Sequence, residues 1–355
     1  MKFIKRKLSD APYESAAAAD VNGNGIKDII SGAYWYEGPD FVKRHKIGDP
    51  AVDGCYFDDF SNIPLDTNGN GLPDLISGGW SRGTLYVKKN PGNEDIWETE
   101  DIDVCGNIET TRFYDIDGDG EIEIIPNTPN DPLVCYKLIK DENGNKTGKF
   151  QKYVLYDKQI WHGMGIGDIN GDGKPEIISV VGYLTMPEEG PFAGQWTLHE
   201  EFKLPEGCAS VPMLLADVTG NGKPDIIYGK AHGYGLYWME HKDDGTWEHH
   251  VIDESRATYH DMQLVDIDGD GEMEVLTGKR WKAHNGNDPG DLDDVFICYF
   301  KFKDGKFERY FIDDGEPGIC SGLGIYFWCE DIDCDGKLEI IAPGKEGLFL
   351  FKRED

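Results

Sequence analysis

The stretch DIDGDGEIE, residues 115–123, contains the pattern that decides the fold of this chain. A period of about 20–50 residues or slightly more is typical of repeat proteins, in which each unit buries its apolar face against the next one. Here the successive copies start 46 to 65 residues apart. The shared pattern is D-x-[D/N/T]-x-[D/N]-G-x-x-[D/E], and its seven copies start at Asp20, Asp66, Asp115, Asp168, Asp217, Asp266 and Asp331.

Each copy is predicted to be a cation-binding loop. Oxygen-bearing side chains at positions 1, 3, 5 and 9, with Gly at position 6 for a sharp turn, form a donor set suited to Ca²⁺. An EF-hand opens in the same way, but position 12 of the first copy is Ser31 and the flanking residues are strand-like, which excludes that motif. We therefore predict structural Ca²⁺ in most loops; the alternative is an Asx-rich turn without metal.

The predicted calcium ligands are the side chains at these four positions. The copy at Asp217 is the weakest, with Thr219 at position 3, and the last copy has Cys334 where the others have Gly. Loop by loop, the predicted ligands are Asp20, Asn22, Asn24 and Asp28; Asp66, Asn68, Asn70 and Asp74; Asp115, Asp117, Asp119 and Glu123; Asp168, Asn170, Asp172 and Glu176; Asp217, Thr219, Asn221 and Asp225; Asp266, Asp268, Asp270 and Glu274; and Asp331, Asp333, Asp335 and Glu339.

The residues around each loop predict four short strands per unit. A strand leads into the loop, and a second one leaves it, as in EIISV (176–180). A third is aromatic, as in GLYWMEH (235–241), and a fourth starts with an aromatic residue, as in WEHHVID (247–253). Aromatic and β-branched residues with period-2 patterning, between turns rich in Gly, Asn and Asp, are typical of strands.

The missing fourth strand of the last unit is predicted at the other end of the chain. Residues 3–8, FIKRKL, closely match FVKRHKI (41–47), the fourth strand of the first unit. We therefore predict one all-β domain over residues 1–355, a seven-bladed β-propeller whose last blade is closed by the N-terminal strand. The repeats resemble the FG-GAP or VCBS calcium-loop repeats of integrin-like propellers, and this resemblance covers nearly the whole chain.

The composition limits which binding partners and which cellular compartment are to be expected. The chain has 35 Lys and Arg against 67 Asp and Glu, and this acidic balance argues against nucleic acid and anionic membranes as partners. No run is long enough for a transmembrane helix, and the first residues lack the apolar core of a signal peptide. The eight cysteines form no C-x-x-C pair, so we expect reduced thiols and a cytoplasmic location. The oligomeric state is left open.

Propeller geometry indicates where chemistry is to be expected. Because the loop joins the first and second strands, the start of the first strand and the end of the second meet at the opposite face. Six residues before the loop aspartates stand Glu14, Phe60, Glu109, His162, Val211, His260 and Ile325. The second strands end at Ala33, Gly79, Thr128, Val181, Lys230, Lys279 and Gly344.

A long connection in the sixth unit and a segment of the fifth unit add polar residues to this face, which is one mouth of the central channel. Long loops on a rigid scaffold commonly carry function. Structural roles are the alternative: His162 as a hydrogen-bonded wall residue, and Lys230 and Lys279 as counter-ions of carboxylates. Residues 278–294 supply Lys279, Arg280, His284, Asn285 and Asp288, and the fifth unit supplies Lys230, His232 and Tyr234.

Four segments carry a second, more specific resemblance. They are WHGMGIGDINGDG (161–173), KAHGYGLYW (230–238), YHDMQLVDIDGDG (259–271) and GKRWKAHNGNDPG (278–290). Together they resemble the propeller of the aldos-2-ulose dehydratase (1,5-anhydro-D-fructose dehydratase) family and its relatives, including lyases that cleave 3-keto-glycosides. The resemblance implies β-elimination on an oxidised sugar, assisted by a divalent metal.

The resemblance also implies roles for individual residues. His162, His260 and Glu109 would hold one catalytic Mn²⁺, Zn²⁺, Co²⁺ or Ni²⁺, because imidazole and carboxylate suit such ions. His232 or His284 would transfer the proton. Lys230, Lys279 and Arg280 would hold the keto oxygen or enolate. The expected contacts to a small-molecule sugar are Tyr234, Tyr259, Asn285 and Asp288.

Two other classes of function stay open. A non-catalytic propeller that binds carbohydrate or protein would present aromatic platforms and would need no converging His and Lys. Our interpretation of Trp35, Trp80 and Trp281 favours packing between blades over a role as such platforms. A polysaccharide lyase would need a cationic groove for uronates and export from the cell, and the acidic balance argues against it.

Overall fold

The computed structural model describes residues 1–354, and the regular structure in this range is entirely β-strand. Seven four-stranded sheets form the blades of a β-propeller, and one two-stranded hairpin stands outside them. All strand pairs within the blades are antiparallel, and each blade runs from an inner first strand to an outer fourth strand. No helix within residues 1–354 is long and apolar enough to cross a membrane.

The strands are numbered in chain order. Those up to the third blade are β1 (Lys2–Ser9), β2 (Ala17–Ala19), β3 (Asp28–Ser31), β4 (Tyr34–Tyr36), β5 (Arg44–Lys46), β6 (Val52–Asp53), β7 (Tyr56–Phe57), β8 (Ile63–Leu65), β9 (Asp74–Gly78), β10 (Thr84–Lys89), β11 (Glu98–Val104), β12 (Thr110–Tyr114), β13 (Glu123–Asn127), β14 (Leu133–Lys140) and β15 (Lys146–Tyr156). Those of the later blades are β16 (Gly165–Gly167), β17 (Glu176–Ser179), β18 (Gly182–Thr185), β19 (Thr197–His199), β20 (Leu214–Ala216), β21 (Asp225–Gly229), β22 (Tyr234–His241), β23 (Trp247–Ala257), β24 (Tyr259–Val265), β25 (Glu274–Lys279), β26 (Val295–Lys303), β27 (Lys306–Gly315), β28 (Trp328–Glu330), β29 (Glu339–Gly344) and β30 (Gly347–Glu354).

The blades follow one another along the chain, and the last is completed from the beginning. Blades 1 to 6 are β2–β5, β8–β11, β12–β15, β16–β19, β20–β23 and β24–β27, with β6 and β7 forming the extra hairpin. Blade 7 consists of β28, β29 and β30, and β1 is its fourth strand. In that pair Phe3 lies opposite Arg353, and Arg6 lies opposite Leu350. The predicted ring closure by the N-terminal strand is confirmed.

The core lies between neighbouring blades, which explains the repeat of apolar second and third strands. In one cluster Ile76 and Leu85 of blade 2 pack with Ile124 and Tyr136 of blade 3. The first strands near the axis carry small residues where backbones approach closely. A Cβ on Gly165 would lie 2.7 Å from the carbonyl oxygen of Met213 in the next blade, which is why glycine is needed at this position.

The acidic loops connect the first and second strands of every blade, as predicted. In the first loop Asp20 accepts the backbone N–H groups of Asn24 and Gly25 at 3.0 and 2.7 Å. Asp28 accepts the N–H of Val21 at 2.9 Å. The loops are therefore closed by their own Asx-type hydrogen bonds. Cys334, at the position that is Gly in the other loops, adopts a φ of 60°, which is unfavourable for a residue with a side chain.

Candidate metal centre at the channel mouth

Four potential metal ligands from four blades meet at the mouth of the channel opposite the acidic loops. They are Glu109, just before β12; His162, before β16; His232, in the turn between β21 and β22; and His260, in β24. One ligating atom of each lies within 4.8 Å of those of the other three. The repeat explains why Glu109, His162 and His260 converge, because each stands six residues before the aspartate that begins its loop.

The imidazoles of His162 and His232 face each other. Their Nε2 atoms are 3.1 Å apart. The Nδ1 of His162 is 2.8 Å from the carbonyl oxygen of Ala209, and the Nδ1 of His232 is 2.9 Å from Oδ2 of Asp288. A neutral imidazole that donates from Nδ1 carries its lone pair on Nε2. Two lone pairs then point at one another, an arrangement that a cation between or beside them stabilises.

Glu109 supplies the negative charge of the cluster. Its Oε1 lies 2.8 Å from Nε2 of His260, 3.4 Å from Nε2 of His162 and 3.1 Å from a guanidinium nitrogen of Arg280. Burial alone would raise the pKa of Glu109, but the contacts of its carboxylate with His162 and His260 hold that pKa well below its ordinary value. The carboxylate is therefore ionised.

The imidazoles of His232 and His260 are neutral at neutral pH. Burial, reinforced by the neighbouring His162, lowers the pKa of His232 to about 2. Burial and the positive charge of Arg280 lower the pKa of His260 to about 3. Nδ1 of His260 is buried without a hydrogen-bond partner in the described part of the chain. Neutral imidazole is the form that binds metal.

A buried ion network holds Arg280 in place beside this cluster. Arg280 is 2 % exposed, and its Nε donates to Oε1 of Glu14 at 3.0 Å. The other carboxylate oxygen of Glu14 lies 3.2 Å from Nζ of Lys345. Because one guanidinium bridges Glu14 and Glu109, its orientation is set before any ligand arrives. Lys345 was not among the predicted site residues; it directly follows Gly344, the predicted end of a second strand.

The donor set fits a first-row divalent metal. Three imidazole nitrogens and one carboxylate oxygen are ligands preferred by Zn²⁺, Mn²⁺, Co²⁺ and Ni²⁺ rather than by Ca²⁺, which prefers oxygen alone. Asp288 orients His232 from the far side, as carboxylates behind metal-binding histidines commonly do. The residues that would hold the ion are therefore Glu109, His162, His232 and His260, one histidine more than predicted.

A cavity of about 230 Å³ opens beside the cluster. Glu109 and Arg280 reach it from the cluster side. His284 lies at its rim with 54 % of its side chain exposed and stacks on His232 at a centroid distance of 4.1 Å. The remaining lining residues are Asp53, Tyr56, Phe60, Trp80, Ser81, Ala283 and Asn285.

The hairpin β6–β7 forms one wall of this cavity, a contribution that sequence reasoning missed. The hydroxyl of Tyr56 donates to the carbonyl oxygen of Ala283, and Cys55 contacts Asn285. The hairpin between blades 1 and 2 is thereby joined to the long connection of blade 6. Trp80, for which packing was the favoured interpretation, is 38 % exposed and lines the cavity.

Other predicted site residues lie apart from the cluster. The ammonium of Lys279 is enclosed by Thr258 Oγ1 at 3.1 Å and the carbonyl oxygen of Gly290 at 2.5 Å, so it fixes the connection rather than facing the cavity. Burial lowers its pKa to about 8. Tyr259 is fully buried with its hydroxyl 2.5 Å from Asp253, so the expectation of a sugar contact from Tyr259 does not fit its position.

Two further predicted residues belong to the same blade as His232. The hydroxyl of Tyr234 donates to Asp293 at 2.6 Å, and its ring is 39 % exposed. The side chain of Lys230 is half-buried and passes close to Gly233. Neither residue lines the cavity beside Arg280.

Arg112 of blade 3 reaches across to Asp261 of blade 6 and to Tyr326. Its guanidinium lies 2.8 Å from Oδ1 of the fully buried Asp261 and stacks at 4.6 Å on the ring of Tyr326. Beyond it, towards the acidic loops, a cavity of about 500 Å³ is lined by apolar residues such as Met164 and Leu214. The larger cavity therefore lies away from the histidines.

Comparison with known families fits the fold described above. The family described as "FG-GAP-like repeat" matches residues 66–125 and 217–277, and each match spans two of the acidic loops. This chain is a seven-bladed propeller that contains FG-GAP-like repeats. No curated protein matches it. The more specific resemblance to the aldos-2-ulose dehydratase family stays a prediction.

Solved structures share the propeller at low sequence identity. The structure of BBS1N in complex with ARL6DN is 9% identical, with a TM-score of 0.57 over 98% of this chain and 95% of that one. A lectin of Agrocybe aegerita that recognises terminal N-acetylglucosamine is 19% identical, with a TM-score of 0.52 over 85% and 80%. Rhamnogalacturonan lyase YesW is 14% identical over 98% and 72%, with a TM-score of 0.49. These likenesses concern the fold alone.

Proposed function

We propose that the protein is a metal-assisted carbon–oxygen lyase that acts on an oxidised sugar. Its substrate would be a keto-sugar that loses water or a keto-glycoside that loses its aglycone. The observation that carries the proposal is the convergence of three imidazoles and one carboxylate beside a cavity that Arg280 lines. Such a set of groups suits proton abstraction next to a carbonyl, with stabilisation of the oxyanion that forms.

Each step of the reaction would be carried out by a particular residue of the chain. A ketone acidifies the neighbouring C–H, and His284, exposed at the rim and hydrogen-bonded to Asp288, would accept that proton. The electron pair left on carbon would form the enolate and then expel the oxygen substituent at the β carbon. That oxygen would take up the proton that His284 had accepted and depart as water or an alcohol. Arg280 would hold the enolate oxygen. A bound divalent metal would supply Lewis-acid charge at the same oxygen.

An elimination assay with controlled metal content tests the proposal. The protein is treated with chelator, reloaded with Mn²⁺, Zn²⁺, Co²⁺, Ni²⁺ or Ca²⁺, and offered 1,5-anhydrofructose or a 3-keto-glucoside with a chromogenic aglycone. We expect enone absorbance or aglycone release that a transition metal restores and Ca²⁺ alone does not. A folded, metal-loaded protein that turns over neither substrate contradicts the proposal.

Alanine variants separate the cluster from the other histidines. We expect H162A and H260A to lose the bound transition metal and at least about 100-fold in turnover. His199 is a matched control, because it lies on the outer strand β19 and hydrogen-bonds Thr185 at 2.9 Å. H199A should keep both metal and turnover. Retained metal and activity in H162A and H260A would refute the assigned ligands.

A propeller that binds sugar without catalysis is the second candidate. The aromatic side of the cavity, Tyr56, Phe60 and Trp80, favours it, because such rings provide platforms for apolar sugar faces. Under this alternative the protein would bind a sugar in calorimetry with no product, and H162A would bind as well as the unchanged protein.

A further inference from the structure

Three of the seven acidic loops hold a lysine ammonium among the carboxylates that were predicted to bind calcium. They are the loops of blades 3, 6 and 7, in which all four predicted ligand positions are acidic. In each case the lysine stands on the third strand of the blade, across from the glutamate at position 9 of the loop. The pairs are Glu123 with Lys137, Glu274 with Lys301, and Glu339 with Lys352.

The loop of blade 3 shows the arrangement most clearly. Nζ of Lys137 reaches three of the four predicted ligands, at 2.6 Å from Asp117, 2.8 Å from Asp119 and 2.9 Å from Glu123. The ammonium donates hydrogen bonds to all three carboxylates. It is therefore central to the loop.

Blade 6 repeats this contact pattern at equivalent positions. Nζ of Lys301 reaches the ligands at positions 3, 5 and 9, at 2.6 Å from Asp268, 2.5 Å from Asp270 and 3.3 Å from Glu274. Glu274 is almost fully buried, so its carboxylate depends on this ammonium for a nearby positive charge. Two loops far apart in the chain therefore enclose a lysine in the same way.

Blade 7 has the same pairing in a more exposed form. Lys352 contacts Asp333 and lies 3.1 Å from Oδ2 of Asp335. At this strand position blades 1, 4 and 5 have Glu37, Thr185 and Glu240, and blade 2 has a lysine, Lys89. Lys89, in blade 2, pairs with Glu100 on the fourth strand instead of with its loop.

Calcium and these lysines require the same space. Ca²⁺ coordinates carboxylate oxygens at about 2.3–2.6 Å, and the ammonium groups bind the same oxygens at 2.5 to 3.3 Å. Two cations inside one ring of oxygens repel each other strongly. Calcium therefore enters only if the lysine leaves. The loops of blades 3, 6 and 7, as folded, do not fit the ion that their sequence pattern predicts.

We infer that Lys137, Lys301 and Lys352 act as tethered cations that take the place of calcium in these three loops. The loops with the most carboxylates are thus the ones that close without an ion from solution. Any calcium that this protein binds is held by the loops of blades 1, 2, 4 and 5. The blades of one ring then differ in their dependence on the free calcium concentration.

Calcium binding to the whole chain tests the inference. The unchanged protein, the single variants K137M, K301M and K352M, and the triple variant are stripped with chelator and dialysed against graded CaCl₂. Bound calcium is then counted per chain. We expect the unchanged protein to bind at no more than four loops and each Lys→Met change to add one site, with at least about tenfold higher affinity at that loop. K89M is the matched control and should add none.

A second measurement needs no variant. Amine-reactive labelling with peptide mass spectrometry reports whether the three lysines stay enclosed when CaCl₂ is raised to about 1 mM, the weak end of protein calcium sites. We expect Lys137 and Lys301 to stay as protected with calcium as without it. Calcium bound at all seven loops of the unchanged protein, or labelling of Lys137 and Lys301 that calcium increases, would overturn the inference.

Discussion

Replacement of Glu346 by glutamine is expected to stabilise the protein at alkaline pH and to leave its stability unchanged at acidic pH. Glu346 lies in the turn between β29 and β30, and only 7% of it is exposed. Gly322 donates its N–H to Oε1 at 2.5 Å, while Oε2 has no hydrogen-bond partner within the described chain. The pKa of Glu346 is raised to about 7, mainly because the carboxyl group is buried.

The size and sign of the effect follow from that pKa. An unfolded glutamate titrates near pH 4.3–4.5, so the folded protein binds more protons than the unfolded chain between about pH 4.5 and 7. The free energy of unfolding therefore falls as the pH rises through this window. A pKa difference of about 2.5 corresponds to about 3 kcal/mol. The E346Q variant carries a neutral amide at every pH and keeps an oxygen that accepts the Gly322 N–H.

Urea unfolding followed by tryptophan fluorescence at pH 4.5 and pH 8 measures the effect. We expect E346Q to match the unchanged protein at pH 4.5 and to exceed it by about 3 kcal/mol at pH 8. The exposed Glu188 provides the control, since E188Q should change neither value. Equal differences at the two pH values, or a destabilised E346Q at pH 8, would refute the reasoning.

Three further outcomes are expected. D288N should lower transition-metal affinity about 10–100-fold, because Asp288 orients His232; competition with a chromophoric chelator measures this, and unchanged affinity would contradict it. R112M should lower the free energy of unfolding by about 3–5 kcal/mol, because it leaves the buried Asp261 unpaired; in urea unfolding R112M/D261N should recover part of the loss, and no recovery would refute the pairing. W80A should raise KM about tenfold with kcat nearly unchanged in steady-state kinetics; a fall in kcat alone would place Trp80 outside substrate binding.

The ring was predictable because each repeat marks the same point of its blade. The acidic residue at position 9 begins the second strand, as Asp28 begins β3 and Glu274 begins β25. Counting back from the loop aspartates placed Glu109, His162 and His260 at one face, and the structure brings them together. A repeat with constant spacing thus predicts which side chains share a face, although it does not predict their distances.

Features outside the repeat were not predictable in the same way. The hairpin that carries Tyr56 is positioned by a contact with Ala283, far along the chain, and no local pattern encodes that contact. Lys279 and Arg280 are neighbours in sequence and were both expected at the enolate. Alternation of side chains along a strand sends them to opposite sides, and sequence alone did not decide which of them faces the cavity.

The pairing of β1 with β30 makes Lys2 and Glu354 neighbours across a sheet. A short flexible bridge between the two ends would therefore leave every blade hydrogen bond in place. New ends opened in an exposed connection between two blades would then give a permuted chain with the same ring. The blades thus follow one another in a closed circle, and their hydrogen bonding does not define which blade is the first.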